Sequence, residues 1–160
     1  MPPAAIIEPS DLHCDSVVYD RDRIYELLPQ RFEFSQLDSI ILSDVENRLF
    51  AACRDVKADE WWCRGHMPTQ AIFPGVLMVE AAAQLSAFTQ KMLYPNDNGI
   101  MGFGGITDAK FRESIYPPAR VILVARVTDD RARRYTCHVQ SFVNGSMAFE
   151  GVIRGVALKI

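Results

Sequence analysis

The stretch PGVLMVEAAAQLSAFTQKML, Pro74 to Leu93, leaves this chain few ways to fold. Pro74 and Gly75 suit the first turn of a helix, and Tyr94-Pro95-Asn96-Asp97-Asn98-Gly99 supplies strong turn chemistry to end it near Leu93. Between these ends Val76, Leu77, Met78, Val79, Ala81, Ala82, Ala83, Leu85, Ala87 and Phe88 leave almost no polar face. Such a helix cannot lie on a surface; it must be wrapped by protein over most of its area.

The remaining segments are mostly β-like. QLDSIILSD and RLFAACRDV flank the turn-prone Asp44 to Arg48 and predict a hairpin. After the helix come GIMGFGGITDAKF, ARVILVARVTD, RRYTCHVQSFV and MAFEGVIRGVALKI, the last two joined by Asn144-Gly145-Ser146, whose Asn-Gly is the strongest short hairpin signal. Five or six antiparallel strands and one long buried helix make an α+β domain, with a curved sheet wrapped around the helix. Upstream, DRDRIYELLPQRF reads as a short helix with Asp22 as its N-cap and Pro29 forcing an exit. Residues 1–21 are expected to form a loosely attached N-terminal arm, and 22–160 a single domain. No internal repeat or low-complexity tract interrupts it.

Composition excludes several classes. A chain of 160 residues with 49% hydrophobic and 23% charged residues is long enough to bury a core and is not a disordered protein. A formal net charge of -3 gives no reason to expect nucleic-acid binding. The N-terminus has neither a basic start nor a long apolar run, and no window reaches the roughly eighteen uncharged apolar residues of a membrane span, so a cytoplasmic location is expected. Cys14, Cys53, Cys63 and Cys137 form no CxxC pair, which predicts reduced thiols filling the core. Cys63 and His66 lack the clustered partners of a metal site, so no metal is expected.

Glu80 is the anomaly of the helix. An ionised carboxylate among Val, Met and Ala is costly unless it is paired or protonated. Gln84, four residues on, shares its face and can hold the carboxyl by a hydrogen bond. Burial raises such a pKa, and an acid kept protonated near neutral pH can act as a general acid. A buried structural glutamate satisfied by backbone donors or a subunit boundary fits the same position. His66 lies in a Gly- and Pro-punctuated loop before the helix, from which an imidazole can serve as a base. His13 and His138 read as structural or solvent-facing. Gly75, at the helix start, offers an unpaired N–H without a Cβ, which is the chemistry of an oxyanion site. A base, an oxyanion donor and a buried acid together suit proton abstraction beside a carbonyl with departure of a hydroxyl.

On IYELLPQRFEF, RGHMPTQAIFPGVLMVEAAAQ and FGGITDAKFRESIYPPARV the chain resembles the hot-dog-fold 3-hydroxyacyl-acyl-carrier-protein dehydratases of fatty-acid synthesis, from about Ile24 to the C-terminus. The resemblance implies a hot-dog fold, loss of water from a 3-hydroxyacyl thioester to give the trans-2-enoyl thioester, and no cofactor. It implies His66 as the catalytic histidine, Gly75 as the glycine that polarises the thioester carbonyl, and Glu80 as the acid. Glu at this position resembles the branch that dehydrates without isomerising the double bond. Phe73, Val76, Gln84, Phe103, Lys110 and Arg112 are the expected substrate-binding residues. Lys110 and Arg112, with Arg120, Arg133 and Arg134, can meet a phosphopantetheine or an acidic carrier protein, or form a solvated face. The implied partners are an acyl carrier protein or coenzyme A thioester and a second copy of the chain, as a homodimer or a trimer of dimers. A hot-dog thioesterase and a non-catalytic acyl-thioester-binding or scaffold protein are the competing readings. The family's usual HFPG stands here as His66-Met67-Pro68-Thr69, and its Pro-Gly-Asp turn as Pro117-Pro118-Ala119. Thr69 in place of glycine restricts the loop that carries His66.

Overall fold

The structure, a computed structural model, describes residues 1–159. After α1 (Arg21–Leu27) come β1 (Ser39–Asp44) and β2 (Leu49–Val56), then the long helix α2 (Gly75–Leu93). Four strands follow: β3 (Met101–Phe111), β4 (Ala119–Arg131), β5 (Arg134–Val143) and β6 (Ser146–Ala157). All six strands form one sheet in the order β1-β2-β4-β5-β6-β3, and every neighbouring pair is antiparallel. Register shifts interrupt the β1–β2, β3–β6, β4–β5 and β5–β6 ladders. Bulges of this kind bend a strand and sharpen its twist, which lets the sheet curl around a helix. The result is the sheet wrapped around a helix that the apolar helix predicts, the hot-dog architecture that the resemblance implies.

Most predicted elements sit where their residues put them. Asn144 and Gly145 adopt φ values of 50° and 80° between β5 and β6, the left-handed pair that a two-residue hairpin turn requires. The strand reading of the last segment includes Ile160, which lies outside the described residues. Helix α1 differs in one detail: its N-cap is Asp20, whose carboxylate accepts the Arg23 N–H at 3.2 Å, and Asp22 lies inside the first turn. Both aspartates are good caps by type, and only the backbone path selects between them. At its end Leu28 is extended, as a residue before proline prefers, so Pro29 terminates the helix as expected.

The two faces of the sheet bury different things. Phe50 and Ala52 of β2, Leu123 and Ala125 of β4, and Ile153 of β6 share a core with Leu77, Ala81, Leu85 and Phe88 of α2. On the other face Ile41, Ala51, Cys53, Val124, Phe142 and Met147 make a second cluster, covered by Ala5, Ile6, Ile7, Leu12 and Cys14. The N-terminal residues are therefore not loosely attached. The Ile6 N–H donates to Gln140 Oε1 at 2.8 Å, Gln140 Nε2 donates to Ala4 O at 3.1 Å, and Tyr19 bridges Ile40 at the β1 edge. Cys14 and Cys53 are joined in a disulfide with Cα atoms 5.8 Å apart, so the expectation of four reduced thiols holds only for Cys63 and Cys137. The two bonded cysteines are 39 residues apart, and only the path of the arm across β2 brings them within bonding range. No helix among the described residues is long and apolar enough to cross a membrane.

Candidate active site

The loop between β2 and α2 is organised around one carboxylate. Glu60 accepts the Lys57 N–H at 3.1 Å, the Trp62 indole N–H at 2.5 Å, and both terminal nitrogens of Arg54 at 2.6 and 2.8 Å. Burial works to raise the Glu60 pKa, but the Arg54 guanidinium and the other donors outweigh it and hold the group below its ordinary value. Trp62, pinned in this way, packs its ring 5.5 Å from that of Phe73, and the Arg54 guanidinium lies over the other residue of this aromatic pair, 5.3 Å from the Phe73 ring centre. Phe73 is 5% exposed, so its part here is to anchor the loop to the core.

His66 follows on this support. Its backbone N–H donates to Trp62 O at 2.9 Å, and its Nδ1 lies 2.9 Å from Ile72 O. A carbonyl can only accept, so in the neutral ring Nδ1 carries the proton and Nε2 keeps a free lone pair. His66 is exposed, with Nε2 available as a base toward solvent or a substrate.

Gly75 opens α2, with Pro74 as N-cap and no side chain capping the turn. Pro74 O already accepts the Leu77 and Met78 amides at 3.0 and 3.1 Å; Gly75, at the first helical position, has an N–H with no intrahelical acceptor. The glycine has a second reason. A Cβ there would meet Phe111 Cε1 at 3.0 Å, so the ring of Phe111, at the end of β3, occupies the space of the missing side chain. The proline-glycine pair at a helix start gives no hint of this aromatic lid.

One turn further, Glu80 is half-buried and its Oε1 accepts from Gln84 Nε2 at 2.8 Å. Desolvation raises its pKa above the ordinary 4.5, and the Gln84 hydrogen bond offsets only part of that. Both Nε2 protons of Gln84 are in use, since Nε2 also donates to Phe34 O at 2.8 Å, and its Oε1 accepts the Gln36 N–H at 2.8 Å. It is 2% exposed and orients Glu80. Tyr135 stands nearby, its hydroxyl pKa raised by burial first and then by the charges of Cys137 and Glu80.

The remaining expected residues divide by position. Val76 and Phe103 are 77% and 54% exposed, apolar side chains open to solvent in the single chain. Lys110 and Arg112 flank Phe111 in sequence; Phe111 leans on Phe149 while staying exposed on its other side, and Arg112 pairs with Glu150 and shares an outer cleft with Lys110 and His138. Within one chain these two cations are thus not gathered with Gly75 and Glu80. No hydrogen bond among the described residues links His66 to Glu80. The cleft between α1 and the last turns of α2, lined by Tyr25, Lys91 and Met101 among others, lies away from the Glu80 end of the helix. The sequence reading did not single out Arg54, Glu60, Gln36 or Phe111, which the structure places around these residues; the one signal was the acidic pair Asp59-Glu60 set beside Trp61-Trp62.

Comparisons with known proteins bear on the fold and the family. The chain is 32% identical over 137 residues to the 3-hydroxyacyl-acyl-carrier-protein dehydratase FabZ of Polynucleobacter asymbioticus, covering 86% of this chain and 91% of that protein. Among solved structures it superposes on the dehydratase heterocomplex ApeI:P of Xenorhabdus doucetiae with a TM-score of 0.68 at 10% identity, covering 85% of this chain and 91% of the other. It also superposes on a mutant thioesterase of Pseudomonas aeruginosa with a TM-score of 0.59 at 15% identity, covering 75% and 81%. The fold is therefore shared by dehydratases and thioesterases and does not by itself choose between them. The sequence is more discriminating: a FabA-like domain matches residues 28–152, the span that holds His66, Gly75, Glu80 and the support beneath them, and the chain belongs to the family of FabA-like domains.

Proposed function

We propose that this protein removes water from 3-hydroxyacyl thioesters carried on an acyl carrier protein, giving trans-2-enoyl thioesters for fatty-acid synthesis. The observation that carries the reading is Glu80: a half-buried carboxyl, its pKa raised by desolvation, held by one amide on an otherwise apolar helix. A departing hydroxyl needs a proton donor, whereas a thiolate can leave without one, so a carboxyl with a raised pKa favours dehydration over hydrolysis. In the reaction His66 Nε2 takes the proton from C2, and the Gly75 N–H steadies the charge that develops on the thioester oxygen. The electron pair forms the C2–C3 double bond as the C3–O bond breaks, and the Glu80 proton completes the departing water. Return of the proton from the imidazolium to the carboxylate restores both groups.

A homodimer with shared sites accounts for what the single chain leaves uncovered. Val76, Val79, Glu80 and Ala83 form one incompletely buried stripe along α2. One edge of the sheet is β3, eleven residues with Phe103 and Phe111 exposed, an edge that invites pairing with another chain. In the dimer proposed here, paired along this edge, His66 of each chain serves Glu80 of the other, a reading supported by the lack of a hydrogen bond between the two within one chain.

The test incubates the protein with 3-hydroxybutyryl and 3-hydroxydecanoyl thioesters of carrier protein and of coenzyme A, following enoyl product and free thiol separately. Enoyl formation without thiol release is expected; thiol release alone would make it a thioesterase, and neither product would leave a binding protein. For the shared site, His66→Ala and Glu80→Gln chains are mixed and allowed to exchange. Random pairing makes about half the dimers mixed, each with one intact site, so roughly a quarter of all sites recover. No recovery, with exchange confirmed by mass spectrometry, would place the acid and base within one chain.

A further inference from the structure

Beneath the site a series of hydrogen bonds, joined covalently through Gln36 and Trp62, connects Glu80 to His66. From Glu80 the series runs to Gln84 Nε2, and from Gln84 Oε1 to the backbone N–H of Gln36, at 2.8 Å each. The side-chain oxygen of Gln36 accepts from Arg54 Nε at 3.2 Å and Nη2 at 3.0 Å. Arg54 grips Glu60 with both terminal nitrogens, Glu60 accepts the Trp62 indole N–H, and Trp62 O accepts the His66 N–H. At its centre the Arg54 and Glu60 side chains are 8% and 15% exposed, and Gln36 is 1% exposed.

A buried ion pair is an unpromising way to stabilise a fold, since apolar replacements of similar volume are often neutral or better. What this pair does is geometric. The planar fork of Arg54 can hold Gln36 and Glu60 at once, in fixed directions, which a lysine or an apolar side chain cannot. Gln36 sets the amide that orients the acid, and Glu60 sets the indole whose backbone carries the base. We propose that Arg54 and Glu60 are positioning residues that hold the Glu80 carboxyl and the His66 loop in register for dehydration. The inference rests on the dehydratase reading, and neither residue touches the substrate.

The test compares Arg54→Met, Glu60→Gln, Gln84→Ala and the Arg54→Met/Gln84→Ala double variant with the native protein, all assayed for enoyl formation after cooperative unfolding has been verified. A displacement of about an ångström at a reacting group costs on the order of 100-fold, so Arg54→Met and Glu60→Gln are expected to lower kcat about 10- to 100-fold. KM should change less than about threefold, because substrate contacts remain. If Arg54 acts through Gln84, adding Arg54→Met to Gln84→Ala should cost much less than it does alone. The His66 imidazole resonances of Glu60→Gln should shift although His66 is unchanged. Native kcat in folded single variants, a loss confined to KM, or full additivity of the pair would each overturn the inference. Should Arg54→Met fail to fold, Glu60→Gln, which keeps the shape of the carboxylate, carries the kcat, KM and resonance tests alone. A native protein that forms no enoyl product would instead overturn the dehydratase reading and this inference with it.

Discussion

The two halves of α2 are built from similar residues and meet different surroundings. From Gln84 to Lys91 every residue is buried, Ser86, Thr89 and Gln90 included. Their donors are used inside the protein: Ser86 Oγ donates to Ala82 O and Thr89 Oγ1 to Ser86 O within the helix, and Gln90 Nε2 donates to Arg131 O of β4. From Gly75 to Ala83 only Leu77, Met78, Ala81 and Ala82 are buried, while Val76, Val79, Glu80 and Ala83 make an open stripe. One half is packing and the other is access. The same apolar composition satisfies a core in the first case and, in the second, lowers the dielectric around a carboxyl that must stay reachable.

If that division is right, substitutions in the two halves should fail in different assays. The largest effect belongs to the open half: Glu80→Gln, and His66→Ala in the loop before it, should each lower dehydration about 100- to 10,000-fold while denaturant midpoints stay near native. Turnover close to native in both would remove the acid and base from the mechanism. In the closed half, Phe88, which is fully buried, should behave oppositely. Phe88→Ala should cost about 3–5 kcal/mol of unfolding free energy, with turnover per folded molecule changed less than about threefold. A folded Phe88→Ala protein without activity would show that the halves are not separable.

The smallest effect is a pH dependence of stability. Burial raises the Glu80 pKa in the folded chain, so the native state binds that proton more tightly than the unfolded chain does. Its contribution is full below the ordinary carboxyl value and is lost as pH rises through the folded one. Glu80→Gln removes the titration, so the variant should gain stability relative to the native protein as pH rises. Because Glu80 is partly open to solvent the gain should stay under about 1 kcal/mol. Urea denaturation of both proteins between about pH 4 and 8 measures it, and parallel curves would mean that the Glu80 pKa is not raised. On the alkaline side turnover should fall as Glu80 loses its proton.

Local chemistry made much of this molecule readable in advance. The helix begins at Gly75 and ends at Leu93 because proline and glycine suit a helix start, and because Pro95, with no N–H to donate, cannot extend one. The β5–β6 turn is readable because Asn144 and Gly145 tolerate positive φ. Even Glu80 declared itself, since a lone carboxyl in an apolar run has an energetic cost whatever surrounds it.

What the chain did not disclose are the contacts between segments distant in sequence. Nothing near Cys14 points to Cys53, and nothing near Gly75 points to Phe111, 36 positions on, whose ring fills its vacant side. Gln36, Arg54 and Glu60 are ordinary polar residues in sequence, and they become the support of a site only when α2 is laid across the sheet and Gln84 comes within 2.8 Å of the Gln36 amide. Which stripe of α2 stays open is decided in the same way. Periodicity and turn propensity are properties of neighbouring residues, so the sequence by itself determined the elements and the anomalous acid. Packing, pairing and access depend on where the bulged sheet carries each strand, and only the tertiary structure decided them.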